Sequence, residues 1–251
     1  MKRTFDVLQI LADSHRPLGV TEIGRRLGLP KASVYRLLVD LQEAECVLFD
    51  ERTQCYRLGP RLVEIGDQAR SQIDVVNIAR PVLEKVAGQV GETINLGILD
   101  RDRVVIVDSV KSAAGPKLTV TLGPVAELHC SAMGKALLAC LTPGQLDRVL
   151  AELELNFRTP NTITSLPDLK REIETARTTG LAYDREEFEI GLFCVAVAVK
   201  DDQGMPCASI SVSGPVNRIQ GNALGHAETT LLAAGEELSR FVNFAGRRSD
   251  G

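Results

Sequence analysis

Tryptophan is absent from this 251-residue chain, histidine and tyrosine occur three times each, and no two cysteines are spaced C-x-x-C. That combination excludes the usual zinc fingers and ribbons, whose ligands come in closely spaced Cys and His pairs. The six cysteines are Cys46, Cys55, Cys130, Cys140, Cys194 and Cys207. Most sit among apolar neighbours, where a free thiol behaves as a small hydrophobe, so buried reduced cysteines and no metal or cofactor are expected. No apolar run approaches the roughly 18 residues of a membrane span. A signal peptide is not expected, because Phe5, Leu8, Leu11 and Ala12 already follow an amphipathic helical pattern. A cytoplasmic protein with no membrane partner is the expectation. Neither a nucleophile elbow nor a phosphate loop is present, which argues against hydrolases and nucleotide enzymes of those types.

Strong charge of one sign is lacking as well, with a net charge of −4, but the charge is unevenly placed. Residues 1–66 hold ten Lys/Arg against nine Asp/Glu, net +1, and residues 67–251 hold nineteen against twenty-four, net −5. Between Arg16 and Arg36 five basic residues (Arg16, Arg25, Arg26, Lys31, Arg36) face one acid, Glu22. Binding to nucleic acid by counterion release needs only such a local basic surface. A solvated basic face on an ordinary helical domain has the same composition, so charge alone does not decide.

Pattern sharpens the choice. Thr21 is positioned as an N-cap, Ile23 and Leu27 fall at i and i+4, and Gly28-Leu29-Pro30 makes a turn. From Lys31, the residues Val34, Leu37, Leu38 and Leu41 repeat with the stripe of a docked amphipathic helix. Its other face offers Lys31, Ser33, Tyr35 and Arg36 to phosphates or base edges. Val47–Phe49 and Cys55–Leu58 are β-prone runs around a polar loop with Arg52 at its tip, the form of a wing. The whole reads as a winged helix-turn-helix. Arg61–Arg70 continues as a connecting helix, and Pro81 opens a helix over 82–90.

Beyond this the chain mixes strands and helices. Thr93–Leu99 and Val104–Val110 flank a hairpin turn, Lys117–Leu122 alternates with period two, and Ser131 caps a helix to Leu141. Helices are expected around 143–155, 166–179 (closed by Gly180) and 223–242, and a second hairpin joins 195–199 to 208–212. Strands outnumber βαβ units, so an antiparallel sheet flanked by helices fits best. Three segments concentrate small and polar residues: His129–Lys135 at a strand-to-helix junction, the acidic run 184–194, and Ser209–Pro215. In the last, alternating serines must share one sheet face. Three hydroxyls there need partners, which a polar ligand, one another, water or backbone could each supply.

The stretches KASVYRLLVDL, YRLGPRL, LHCSAMGKALLA, GLAYDREEFEIGLFCVAVAV and ASISVSGP, in that order, resemble the IclR family of bacterial transcriptional regulators nearly end to end. The resemblance implies an α+β two-domain protein: a winged helix-turn-helix over 1–60, a linker helix over 61–75 and a GAF-like α/β effector-binding domain over 76–251. It implies a homodimer or dimer of dimers on double-stranded operator DNA, answering a small organic acid or aromatic effector, more often as a repressor of a catabolic operon. Expected DNA contacts are Thr21, Lys31, Ala32, Ser33, Tyr35, Arg36 and Arg52. The effector site carried over by position comprises Leu118, Ala126, Ala132, Met133, Asp184, Leu192, Cys194, Ser211 and Ser213. In this reading backbone N–H groups at the helix start hold a carboxylate, and Asp184 orients a hydroxyl or N–H. Three departures stand out: Ala132-Met133 is bulkier than the small pairs found in the family, Phe193 replaces a frequent Arg, and Cys46 a usual Gly. Two other classes compete. A thiol enzyme would combine Cys194, His129 and Asp184. A sensor or adaptor that no longer binds DNA would have shed the basic residues that Lys31, Arg36 and Arg52 retain.

Overall fold

The computed structural model describes residues 2–14, 16–71, 74–111 and 125–249. The chain divides into two compact units, Met1–Gln72 and Ile73–Gly251.

The first unit contains α1 (Lys2–Ala12), α2 (Val20–Leu27), α3 (Lys31–Glu43), the hairpin β1 (Val47–Asp50) and β2 (Cys55–Leu58), and α4 (Arg61–Ser71). Its core is built from one stripe of each element: Val7 and Leu11, Ile23, Val34, Leu38 and Leu41, Val47 and Tyr56. Thr21 is not the cap of α2. Gly19 occupies that position in extended conformation without a side-chain bond, and Thr21 lies exposed inside the first turn. The reason is Leu18, buried and paired with Tyr56 through two backbone bonds of 3.0 and 2.8 Å, which starts the helix at Val20, earlier than a Thr21 cap would allow. Gly28 takes φ 64° and ends α2. Pro30 stands at the N-cap of α3, one residue outside the helix.

The second unit is a six-stranded antiparallel sheet between two helical layers. Its strands are β3 (Thr93–Asp100), β4 (Arg103–Val110), β5 (Val125–Glu127), β6 (Ala182–Arg185), β7 (Leu192–Lys200) and β8 (Pro206–Pro215), in spatial order β5-β4-β3-β8-β7-β6. On one face α5 (Asp74–Val90) and α9 (Asn222–Ser249) cover Ile94, Leu96, Val195, Val197, Ile210 and Val212. On the other lie α6 (Ala132–Ala139), α7 (Pro143–Glu152) and α8 (Leu166–Thr179), packed on Val104, Ile106, Cys194 and Ala196. Period-two alternation thus divides each central strand between two cores.

Two further expectations differ, and one is not tested. Pro81 lies inside α5 rather than near the start of a helix. Burial of Val75, Val76 and Ala79 in the same core as Val82, Leu83 and Val86 carries the helix through a residue that removes one backbone N–H. The acidic run 184–194, expected as a loop running into a strand, does run into β7, but its first residues, Asp184 and Arg185, complete β6, an edge strand too short to show alternation. The expected strand Lys117–Leu122 falls outside the described residues.

Candidate functional site

In the first unit α3 buries Val34, Leu38 and Leu41 and turns Lys31, Ala32, Tyr35 and Arg36 to solvent, with Tyr35 54% exposed. Ser33 is half-buried at the margin of that face. No side chain caps α3. The Pro30 carbonyl accepts the N–H groups of Ser33 and Val34, and the amides of Lys31 and Ala32 lie at the helix start where no intrahelical partner exists. Free amides, the positive end of the helix and a lysine together suit a phosphate. In the hairpin, Asp50 Oδ1 accepts the Arg52 N–H at 2.9 Å, which shapes the turn and leaves the Arg52 side chain exposed. Glu22 neutralises Arg16 (2.9 Å) and Arg26 (2.8 Å), whereas Arg25, Lys31, Arg36 and Arg52 enter no ion pair among the described residues. The basic patch is therefore smaller than the five residues counted in sequence.

The second unit brings most of the expected effector residues onto one sheet face beneath α6. Ser213, Cys194 and Asp184 are in register across β8, β7 and β6, and Ser211 pairs with Asn95 on one side and Ala196 on the other. Leu192 shares the face of Cys194, two residues along β7, and packs on the same core as Ala132 and Met133. Ala126 joins that core from β5 at the opposite edge of the sheet. Leu118 is outside the described residues.

Close packing holds α6 down. A side-chain carbon on Gly134 would stand 2.5 Å from the Leu128 backbone, and one on Gly97 would stand 2.8 Å from Met133 Sδ. Glycine at both places lets the helix start and the Met133 thioether reach the sheet. Ser131 caps α6 as expected, its hydroxyl accepting the Gly134 N–H at 3.0 Å and donating to the Glu127 carbonyl at 2.7 Å. The cap uses one of the amides expected to face a ligand and leaves those of Ala132 and Met133.

Two of the three serines are already engaged. Ser209 donates to the Val197 carbonyl (2.9 Å) and Ser213 to Cys194 Sγ (3.1 Å). Asn95 ties the row together, donating to Ser213 at 3.1 Å and accepting from Ser109 at 2.9 Å. The Ser211 hydroxyl, in a residue only 2% exposed, makes no hydrogen bond among the described residues. Asp184 has a structural role as well, because its Oδ1 accepts the N–H groups of Glu187 (2.8 Å) and Phe188 (3.2 Å) and so shapes the loop after β6. Burial pushes its carboxyl up to about 7; those two bonds and Lys135 oppose the rise, while Glu187 adds to it. Burial, with the Asp184 charge next, also raises the Cys194 thiol.

A buried ion pair was not anticipated. Lys135, fully buried, places Nζ 2.6 Å from both Glu187 oxygens. Thr162 and Thr159 hold the same loop by donating to the Glu187 and Glu186 carbonyls at 2.7 and 2.6 Å, and the Arg158 guanidinium lies 4.0 Å from the Phe188 ring centre. Lys135 in an otherwise apolar helix was the available signal, since a lysine there requires a buried partner. Asn95, by contrast, sits in a strand with no pattern to mark it. Of the thiol-enzyme reading Cys194 and Asp184 are neighbours across β7 and β6, but the His129 ring bonds the Asn156 carbonyl (3.0 Å) and the Cys194 sulfur accepts from Ser213. A cleft of about 730 Å³ elsewhere, lined by Cys140, Arg177, Val197, Lys200 and Leu232 among others, shares no residue with the expected site.

Residues 1–51 match the IclR helix-turn-helix domain and residues 67–240 the C-terminal domain of bacterial transcriptional regulator IclR. HTH-type transcriptional regulator BhcR of Paracoccus denitrificans is 34% identical over 239 residues, 95% of this chain and 85% of its own. HTH-type transcriptional repressor AllR of Escherichia coli is 32% identical over 219 residues, 87% of this chain and 81% of its own. The crystal structure of Thermotoga maritima IclR shares the fold with a TM-score of 0.78 at 31% identity, covering 96% of this chain and 98% of that one. So does an IclR homolog from Microbacterium hydrocarbonoxydans complexed with 4-hydroxybenzoate, with a TM-score of 0.79 at 22% identity over 95% and 96% of the two chains. With a winged helix-turn-helix, a six-stranded sheet between two helical layers and relatives matched along most of its length, this chain belongs to the IclR family of bacterial transcriptional regulators.

Proposed function

We propose that the chain is an effector-controlled repressor of a catabolic operon, with α3 as the recognition helix and a small organic acid or compact aromatic acid as its signal. The observation that carries the reading is the contrast within each unit between satisfied and unsatisfied groups. On α3 the amides of Lys31 and Ala32 and the side chains of Lys31 and Arg36 have no partner among the described residues. In this reading Arg36 and Ser33 contact bases, and Thr21, Lys31, Ala32, Tyr35 and Arg52 contact the DNA backbone. In the second unit the α6 amides of Ala132 and Met133 and the Ser211 hydroxyl stand among the buried apolar walls of Ala126, Met133, Leu192 and Cys194. Apolar surroundings with a few convergent donors fit a carboxylate on a small apolar body. Asp184 acts there through the loop it shapes and, protonated, as a donor. The 4-hydroxybenzoate held by the Microbacterium homolog has this chemistry, and the name of AllR favours repression. The cleft near Lys200 offers its charges at a solvent-facing rim and fits a buried ligand less well.

One winged helix neutralises few phosphates, so a homodimer, or a dimer of dimers, places two heads on one operator. Exposed Phe5 on α1 and Val63 and Ile65 on α4 are the apolar residues such a pairing would cover. We place the boundaries at 1–60 for the head, 61–75 for the linker helix and 76–251 for the effector domain. The test is a gel shift against the intergenic DNA beside the protein's own gene, repeated with a panel of small carboxylates and hydroxybenzoates. Retarded DNA that a panel member releases is the expected result; no retardation at any salt concentration would contradict it.

A further inference from the structure

Where β5 meets α6, three side chains of the sequence Glu127-Leu128-His129-Cys130 converge. One carboxylate oxygen of Glu127, a ring nitrogen of His129 and the Cys130 thiol all lie within 4.8 Å of one another. His129 and Cys130 are fully buried, whereas the Glu127 side chain is 29% exposed and opens the cluster to solvent. The bonding of the imidazole decides how it faces its neighbours. Nε2 lies 3.0 Å from the Asn156 carbonyl, which can only accept, so Nε2 carries the proton and Nδ1 of the neutral ring carries the lone pair. That Nδ1 is a buried polar atom without a hydrogen bond, and it points at Glu127 Oε2 from 3.6 Å, too far for one. Two acceptors therefore face each other, with the Cys130 sulfur 3.8 Å from the same oxygen.

We propose that Glu127 Oε2, His129 Nδ1 and Cys130 Sγ form a binding site for a Zn²⁺ ion. A cation between the three groups satisfies the orphaned nitrogen and the facing carboxylate together. The spacing suits it, because tetrahedral zinc with N, O and S ligands at its normal bond lengths sets neighbouring ligand atoms about 3.3–3.6 Å apart. The supporting contacts are those expected around a ligated histidine and carboxylate. The Asn156 carbonyl fixes the ring and its tautomer, and Arg158 Nη1 binds the other Glu127 oxygen at 2.7 Å, leaving Oε2 to the metal. On binding, the thiol proton is released to water and zinc takes its place on sulfur. Three protein ligands leave a fourth position for water or a ligand oxygen. The metal would fasten the end of β5 to the residue before the α6 cap, next to the Ala132–Met133 start of the proposed effector site. The proposal stands whether or not that site binds a carboxylate, and its test reads metal directly.

Full-length protein, reduced and stripped with a chelator, is titrated with Co²⁺ as a spectroscopic probe and with Zn²⁺ in competition. Expected are one ion per chain, tetrahedral ligand-field bands, and a thiolate-to-cobalt charge-transfer band that Zn²⁺ abolishes. The Cys130→Ser variant should lose the charge-transfer band, while Cys46→Ser and Cys194→Ser keep it. Glu127 is partly exposed, so Glu127→Gln tests the site without relying on a core substitution. It should weaken Zn²⁺ binding by at least the roughly 10- to 100-fold typical of losing a supporting contact, with an unchanged metal-free melting curve. Failure of the wild-type chain to take up Co²⁺ stoichiometrically at micromolar concentration would overturn the proposal. So would a charge-transfer band that survives in Cys130→Ser, or Glu127→Gln binding as tightly as wild type.

Discussion

The two units solve opposite problems with the same kinds of residue. In the head, the residues expected to act lie outside the core: Lys31, Ala32, Tyr35, Arg36 and Arg52 are exposed, and only Ser33 is half-covered. In the second unit they are interior, with Asp184, Cys194, Ser211 and Ser213 each at most 8% exposed; Asp184 is tied to Glu187 and Ser213 to Cys194 and Asn95, while the Ser211 hydroxyl bonds nothing among the described residues. A charge on the surface costs the fold little and is free to meet DNA. A buried polar group must be matched by a partner, so in the effector domain the fold and the site are the same set of bonds. Substitutions in the head should therefore change binding without changing stability, and those in the second unit should change both.

The largest expected effect is on the buried ion pair. Lys135→Ala or Glu187→Ala leaves one charge alone in the interior and should destabilise the protein by about 3–5 kcal/mol, read from chemical denaturation. Lys135→Met combined with Glu187→Leu should recover most of that loss, which would separate the cost of an unpaired charge from the value of the pair. Equal stability of the single variants and the wild type would break the comparison between the units.

Asp184 gives the next effect, through pH. Its folded pKa of about 7 stands above the reference value of 3.8. Stability from the protonated carboxyl is therefore complete below about pH 4 and is lost as pH rises through about 7, by up to about 4 kcal/mol at 1.36 kcal/mol per unit. Asp184→Asn keeps an acceptor for the Glu187 and Phe188 amides and removes the titration. Its stability should fall less between pH 5 and pH 8 than that of the wild type. Parallel curves for the two proteins would contradict the assignment.

Smaller still are the effects expected in the head. Arg36→Ala should lose about 1–3 kcal/mol of operator affinity at fixed salt, the usual value of a base contact, with its melting temperature unchanged. Lys31→Ala should weaken binding to all sequences alike and reduce the slope of log affinity against log salt by about 1.

How much of this was legible in the sequence follows the same division. The head is legible because its signals are local: Gly28 and Pro30 frame the turn, the Val34–Leu41 stripe fixes the buried face of α3, and Arg52 sits between two short strands. What misled was Thr21, a good cap residue overruled by a long-range pairing of Leu18 with Tyr56. In the second unit the alternation of Ser209, Ser211 and Ser213 and the cap at Ser131 were visible for the same local reason. Lys135 with Glu187, 52 residues apart, and Asn95 with Ser213, 118 apart, were not. Their meaning lies in who meets whom across the sheet, and no single-sequence period encodes that. The amide contacts of Asp184 within its own loop carry no signal in the sequence either, since a carboxylate that shapes its own loop reads the same as one waiting for a ligand.

The most direct test of the division of labour measures operator affinity and effector response together in three proteins. Fluorescence anisotropy with labelled operator, with and without the effector found in the carboxylate screen, is run on wild type, Arg36→Ala and Ser211→Ala, with effector binding followed by calorimetry. Wild type should lose operator affinity 5- to 150-fold on adding effector, a coupling of about 1–3 kcal/mol. Arg36→Ala should bind operator weakly yet still bind effector, while Ser211→Ala should bind operator as wild type does and respond little. If Ser211→Ala responds to effector as fully as wild type, the effector site lies elsewhere and the central claim fails.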